Sequence, residues 1–387
     1  MSKTRICARC CGRGTQFYRM CQRCHGSGLD PQEQCQRKTE GVMSSWYDDV
    51  WNPVVGCTEV SEGCKNCCAV RTVSLLATSL RTPQYHGITK DGHWTGMVRC
   101  LLEKLGLPLQ WEKPLRILVG SLSDIFHPDV PNEFIAAIFG VAAACPQHTF
   151  IISTKRPERA AQWFKWVSRG DETPQFNAVY RCILEAARKD FDVPGSTDEE
   201  PDPGWQERWP LPNVWLLTSV EDQLTAEKRI PWLFECTAAV LGVSYEPALG
   251  PADFAWIAQE REDPGCLNAL TGEWWPALGN ADEEYRWREE GPRLDWVRVG
   301  GEWGPEARPC HIKWIRSVIR QCQEHVVPCW VDQIGRSPFG DIGWPGPGPM
   351  HARDHERGSI TDFKGSDPSE WPKDLQVQEL PKLTGCA

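Results

Sequence analysis

From about Trp46 onward, short apolar runs alternate with stretches whose apolar residues recur at helical spacing. Arg116–Gly120 (RILVG) predicts a strand. Asn132–Ala144 predicts a helix, with Pro131 before it and Phe134, Ile135, Ile138, Phe139 and Val141 forming one stripe. His148–Ser153 and Pro157–Val167 predict the next strand and helix. Val214–Thr218 follows as a strand, Ile230–Thr237 as a short helix, and Ala239–Val243 and Trp296–Gly300 as strands. His311–His325 carries Ile312, Ile315, Val318, Ile319 and Cys322 on one helical face, and Val327–Val331 closes the series. A first strand, or its exit, falls at Trp51–Val55, ahead of a helical stretch over Ala69–Leu80. Such alternation implies parallel pairing with right-handed crossovers. The expected class is α/β, and six or seven units favour a partial or full (β/α) barrel over a flat doubly wound sheet.

Two stretches interrupt the pattern. Residues 187–211 are rich in Asp, Glu and Pro, and residues 258–292 are acidic and Trp-rich, so both read as surface insertions. The domain reading is a small unit over 1–40, a barrel over 41–335 and an extended, Gly/Pro-rich tail over 336–387. Composition narrows the class further. No apolar run reaches the roughly 18 residues of a membrane span, so no membrane partner is expected. The opening MSKTRICARC has no apolar signal core, and the expected location is the cytoplasm of a bacterium or phage-infected host. Thiols stay reduced there. An odd total of 19 cysteines therefore points to metal ligation over disulfides. The net charge of −10 argues against wholesale wrapping by nucleic acid, while leaving room for a local basic patch.

That patch is at the start of the chain. Residues 1–40 hold Arg5, Arg9, Arg13, Arg19, Arg23, Arg37 and Lys38 and lack an apolar periodic face, so something other than a core must fold them. Cys7-x-x-Cys10-x-Gly-x-Gly is followed by Cys21-x-x-Cys24-x-Gly-x-Gly. Two such pairs supply the four thiolates of a closed tetrahedral Zn2+ site. The repeat resembles half of the cysteine-rich zinc domain of DnaJ-type co-chaperones. That resemblance implies zinc ligation by Cys7, Cys10, Cys21 and Cys24 as a zinc ribbon, without chaperone activity. The ribbon is read either as a structural knob or, through its arginines, as a nucleic-acid or partner-binding element.

A second cluster, Cys57-x6-Cys64-x2-Cys67, sits between the first strand and the helical stretch after it. In barrels of this kind, active sites lie at the carboxyl ends of strands. Three thiolates without a clear fourth ligand leave one metal position open. On a [4Fe–4S] cluster that open iron can take a chelating ligand such as S-adenosylmethionine. The bland alternative is a second zinc site completed by Cys68, His86, His93 or Cys100.

Residues 46–335 resemble a phage-associated family of unknown function marked by a tryptophan, a Trp-Asn-Pro and three spaced cysteines. The pattern reads here as Trp46, Trp51-Asn52-Pro53, Gly56-Cys57, Ser61, Gly63-Cys64 and Cys67. Ser123–His127, Thr154–Arg159, Asn213, Trp215, Ser219, Glu221, Glu246-Pro247, Gly250-Pro251 and Gly300-Gly301-Glu302 extend it. That family is similar to radical S-adenosylmethionine enzymes, whose partial (β/α) barrel carries three cysteines after the first strand. The chain departs in its first cysteine gap, in Cys68 where the family has an aromatic residue, and in Asp332 where the family has a lysine before Gln-x-Gly.

The resemblance implies a radical S-adenosylmethionine enzyme in which a cluster on Cys57, Cys64 and Cys67 generates a 5′-deoxyadenosyl radical, with a reductant protein as electron donor. Strand-end polar residues suit the remaining roles. Ser123, Asp124, Thr154, Ser219, Glu221 and Glu302 are candidates for holding the cofactor, and Lys155, Glu246 and His127 for acting on substrate. Each of these, taken singly, also reads as a cap or ion pair at a strand–loop junction. A nucleobase or DNA is the candidate substrate, on the basic ribbon and the phage-like resemblance. The competing function is a non-catalytic zinc-stabilised module that binds nucleic acid or protein.

Overall fold

The structure, a computed structural model, describes residues 15–16, 19–20, 45–168, 209–259, 265–276, 291–340, 362 and 364–381. The chain divides into two compact units, Met1–Ser45 and Trp46–Ala387. In the first, Thr15–Gln16 and Arg19–Met20 pair as a short antiparallel hairpin between the two CxxC pairs. Cys7, Cys10, Cys21 and Cys24 themselves lie outside the described residues, as does most of both expected insertions.

The second unit is built on seven strands: β1 (Asp49–Trp51), β2 (Arg116–Val119), β3 (Thr149–Thr154), β4 (Val214–Val220), β5 (Val240–Tyr245), β6 (Trp296–Gly300) and β7 (Cys329–Gln333). They pair in sequence order, every pair parallel, as a curled, open half-barrel. Sequential parallel order puts every carboxyl end on one rim. The helices are α1 (Cys68–Leu76), α2 (Asn132–Ala144), α3 (Pro157–Val167), α4 (Gln223–Leu233) and α5 (Ile312–Glu324).

Strand alternation sorts the core. Phe150 and Ile152 of β3, Leu216 and Val220 of β4, and Val297 and Val299 of β6 join the main core. Side chains of α2–α5, such as Phe139, Trp163, Ile230 and Ile315, pack in that same core. The residues between them form a second cluster of Trp46, Ile151, Trp215, Leu217, Val240, Trp296 and Trp330. Further along the same strand faces toward the carboxyl rim, apolar residues give way to Ser153, Ser219, Ser244, Arg298 and Asp332, all of which line a cavity. The tryptophans thus plug the base of the half-barrel and leave a polar rim.

The sequence-predicted elements α2 and α3 have the expected bounds, and β6 likewise. Helix α4 instead starts seven residues earlier than expected. Asp222 accepts from Thr225 N at 2.9 Å while Asp222 N donates to Thr225 Oγ1 at 3.0 Å, a reciprocal cap that starts the helix there. The segment expected as an extended tail contributes Trp371 and Leu375 to the main core. It also runs along β7, with Val331 N donating to Val377 O and Glu379 N to Cys329 O, each at 2.8 Å.

Candidate functional site

A cavity of about 370 Å³ opens at the carboxyl rim of the half-barrel. Its cover is the chain that leaves β1. Val54–Val55 pairs antiparallel with Arg99–Cys100, and Gly56 then bridges to Ser123 just after β2. These contacts carry the next residues across the rim. Cys57, Cys64 and Cys67 all line the cavity, with a short 3-10 turn over Glu62–Cys64 and Cys67 as the N-cap of α1.

Three strand-end residues hold this loop down. After β3, Arg156 donates to Thr58 O at 2.9 Å and Thr58 Oγ1 at 2.8 Å, and its Nη1 reaches the Cys57 sulfur at 3.5 Å. Arg156 is aimed by Asp124, whose buried carboxylate also accepts from Thr154 Oγ1 (2.8 Å) and Lys155 N (3.0 Å). After β4, Glu221 accepts from Ser61 Oγ at 2.9 Å, and its charge is met by Arg229 at 3.0 Å and Lys155 Nζ at 3.4 Å. The loop passes so close that a Cβ on Gly63 would stand 2.3 Å from Glu221 Oε1. After β6, Glu302 accepts from Asn66 Nδ2 at 2.9 Å and from Arg308 Nη2 at 2.7 Å. Arg308 also donates to Glu62 O.

The other side of the cavity is organised by Arg298 on β6. This buried guanidinium pairs with Glu246 and Asp332, donates to Ser244 Oγ at 2.9 Å, and lies 4.3 Å from the centre of the Trp46 ring. Burial alone would lower its pKa, but Glu246 and Asp332 reverse the sign and keep it charged. Gln333 donates to Glu246 and to Gly301 O. The phenol of Tyr47, also on this wall, is raised by burial first and then by Asp332. Among the described residues, two side chains lining the cavity keep buried atoms without a hydrogen-bond partner, Ser123 Oγ and Arg298 Nε.

The structure therefore divides the predicted site residues. Ser123, Asp124, Lys155, Ser219, Glu246 and Glu302 line the cavity with the three cysteines. Thr154, Glu221 and His127 stand behind it. His127 is 3 % exposed, and its ring meets Thr58 Oγ1 at 2.9 Å and Asp129 N at 3.2 Å. Burial, then Arg156, lowers its pKa, so a neutral ring positions Thr58. Asp124, Glu221 and Glu302 are each occupied by protein donors that hold the loop or its anchors. Sequence reasoning missed Arg229, Arg298, Asn66 and Arg308. Arg298 had a signal, since a charge at an inward position of the buried run WVRVG needs a partner inside the barrel.

The thiols differ in environment. Burial first, and then Asp124, pushes Cys57 up to about 11 against the pull of Arg156. Cys68 is open to the cavity yet ringed by protein, and that desolvation, with Cys67 and Glu246 beside it, pushes its thiol up to about 11. A thiol so raised is a poor nucleophile at neutral pH. Of the other candidate fourth ligands, His86 meets Ser79 O at 2.9 Å and His93 meets Glu59 at 3.5 Å. Among the described residues, no three His, Cys, Asp or Glu side chains form a ligand group for a metal ion. No described helix is long and apolar enough to cross a membrane.

Residues 42–359 match the family described as "Protein of unknown function (DUF5131)", and the chain belongs to that family. No curated protein and no solved structure matches it.

Proposed function

We propose that this DUF5131 member is a radical S-adenosylmethionine enzyme in which Cys57, Cys64 and Cys67 hold a [4Fe–4S] cluster. The observation that carries the reading is that all three cysteines line one cavity at the carboxyl rim of a parallel half-barrel. A [4Fe–4S] cluster takes its thiolates on separate irons, and three cysteine ligands leave its fourth iron open to a chelating ligand. When bound, the cluster and S-adenosylmethionine supply one-electron cleavage and abstraction of hydrogen from an unactivated carbon.

The chain's own residues have separate duties in this reading. Arg156, Glu221 and Glu302 fix the loop that presents the thiols. Ser123, with its unpartnered hydroxyl, remains to meet the cofactor's polar groups. Glu246, Asp332 and Arg298, with Trp46 and Tyr47 beside them, make the wall for substrate. Carboxylates next to aromatic rings suit a ligand that is planar and rich in donors, as a nucleobase is. Zinc at Cys7, Cys10, Cys21 and Cys24, association with phage and an external reductant belong to the same proposal.

Anaerobic purification or reconstitution with iron and sulfide tests the cofactor. The expected result is about four irons per chain on the loop and about one zinc on the N-terminal cysteines. Cys64→Ala should remove the iron and keep the zinc. A colourless protein holding two zincs after failed reconstitution would overturn the reading.

A further inference from the structure

Among the described residues, four cationic side chains line the cavity: Lys155, Arg156, Arg298 and Lys364. Three of them are paired with carboxylates, namely Lys155 with Glu221, Arg156 with Asp124, and Arg298 with Glu246 and Asp332. Among the described residues Lys364 has no such partner. Its ammonium stands 5.0 Å from the centre of the Trp303 ring, which also lines the cavity. A ring face engages one side of an ammonium and leaves N–H donors for a ligand.

Lys364 is delivered there by a built strap. Gly365 O accepts from Ile334 N and from Trp371 Nε1, each at 3.0 Å, and the Trp371 ring is buried in the core. The strap crosses the loop after β7 backbone to backbone. A Cβ on Gly365, whose φ is +66°, would stand 2.3 Å from Gly335 O. Beyond this crossing the strap follows β7, and Glu379 O accepts from Trp296 Nε1 at 2.9 Å. All of it lies past residue 359, where the family match ends.

We propose that Lys364 is a specificity-determining residue that receives an anionic group, phosphate or carboxylate, of a molecule entering the cavity beside Trp303. The cations shared with the matched region are used within the protein. Among the described residues, the strap adds the one cavity cation without a carboxylate partner, so this chain discriminates through a segment outside the family's common part. The inference does not depend on radical chemistry, since it concerns binding alone.

The test is titration calorimetry on the full chain with two probes, adenosine 5′-monophosphate for a phosphate and adenosine 5′-carboxylic acid for a carboxylate. At least one should bind wild type, weaken about tenfold or more in Lys364→Ala, and recover in Lys364→Arg. The probe that loses affinity identifies the anion's source. Gly365→Ala, which displaces the strap, should weaken the same probe. If neither probe binds, or if both bind Lys364→Ala within about twofold of wild type, the proposal is overturned. Loss of iron loading in other variants would leave this result untouched, so the two proposals fail separately.

Discussion

Glu221, at the end of β4, accepts a hydrogen bond from Ser61 Oγ at 2.9 Å across 160 residues of chain. The bond fixes the middle of the cysteine loop to the rim of the half-barrel. Arg156 and Glu302 do the same near its two ends. Residues that the sequence offered as cofactor ligands thus act first on the protein, by setting where the thiols stand.

Removing that anchor should be costly. The side chains of Glu221 and Arg229 are 2 % and 6 % exposed. Glu221→Ala leaves a buried guanidinium short of its counter-charge, with an expected loss of about 3–5 kcal/mol. Urea denaturation measures it, and Glu221→Ala combined with Arg229→Met should recover part of the loss. A loss below about 1 kcal/mol for the single variant would show that the pair does not hold the rim.

Gly63→Ala tests the closeness of the loop itself. The added methyl must displace Glu221 or lift the turn, an overpacking cost of about 1–3 kcal/mol. Iron loading after reconstitution should fall with it. Unchanged stability and loading would mean that the loop relaxes freely at this point.

Arg298→Met leaves Glu246 and Asp332 facing each other without the cation between them. The expected cost is about 3–5 kcal/mol in chemical denaturation, partly restored by adding Asp332→Asn. A neutral effect of Arg298→Met would remove Arg298 from the centre of this wall.

Acid should release the Glu302 anchor. Burial raises its pKa, but hydrogen bonds from Arg308 and Asn66 outweigh that and hold it below the ordinary carboxylate value of 4.5. A carboxylate depressed in the folded state contributes stability that is present above the unfolded pKa and is lost as pH falls through the folded one. The stability difference between wild type and Glu302→Gln should therefore be constant above about pH 5.5 and shrink below pH 4.5. A difference independent of pH down to pH 3 would contradict this assignment.

The fold was legible where packing follows local pattern. Phe134, Ile138 and Val141 mark α2 by spacing, and β6 is marked by the run WVRVG. Helix α4 was less legible because Pro231 inside its last turn masks a start that Asp222 and Thr225 set by capping. At the site, the spacing of Cys57, Cys64 and Cys67 and the strand-end position of Glu246 were readable. What spacing cannot show is which donors reach a carboxylate across distant chain. Glu221 finds Ser61 and Arg229, and Glu302 finds Asn66 and Arg308, only once the strands are side by side. Lys364 was hidden for the same reason, since a polar, Gly/Pro-rich segment gives no periodic sign that Trp371 anchors it.

The most direct measurement is anaerobic incubation of the iron-loaded protein with dithionite and S-adenosylmethionine, with the products separated by chromatography. The account predicts 5′-deoxyadenosine from wild type and its loss in Cys57→Ala, Cys64→Ala and Cys67→Ala. Iron-loaded wild type that forms no 5′-deoxyadenosine, or cysteine variants that form as much as wild type, would contradict it.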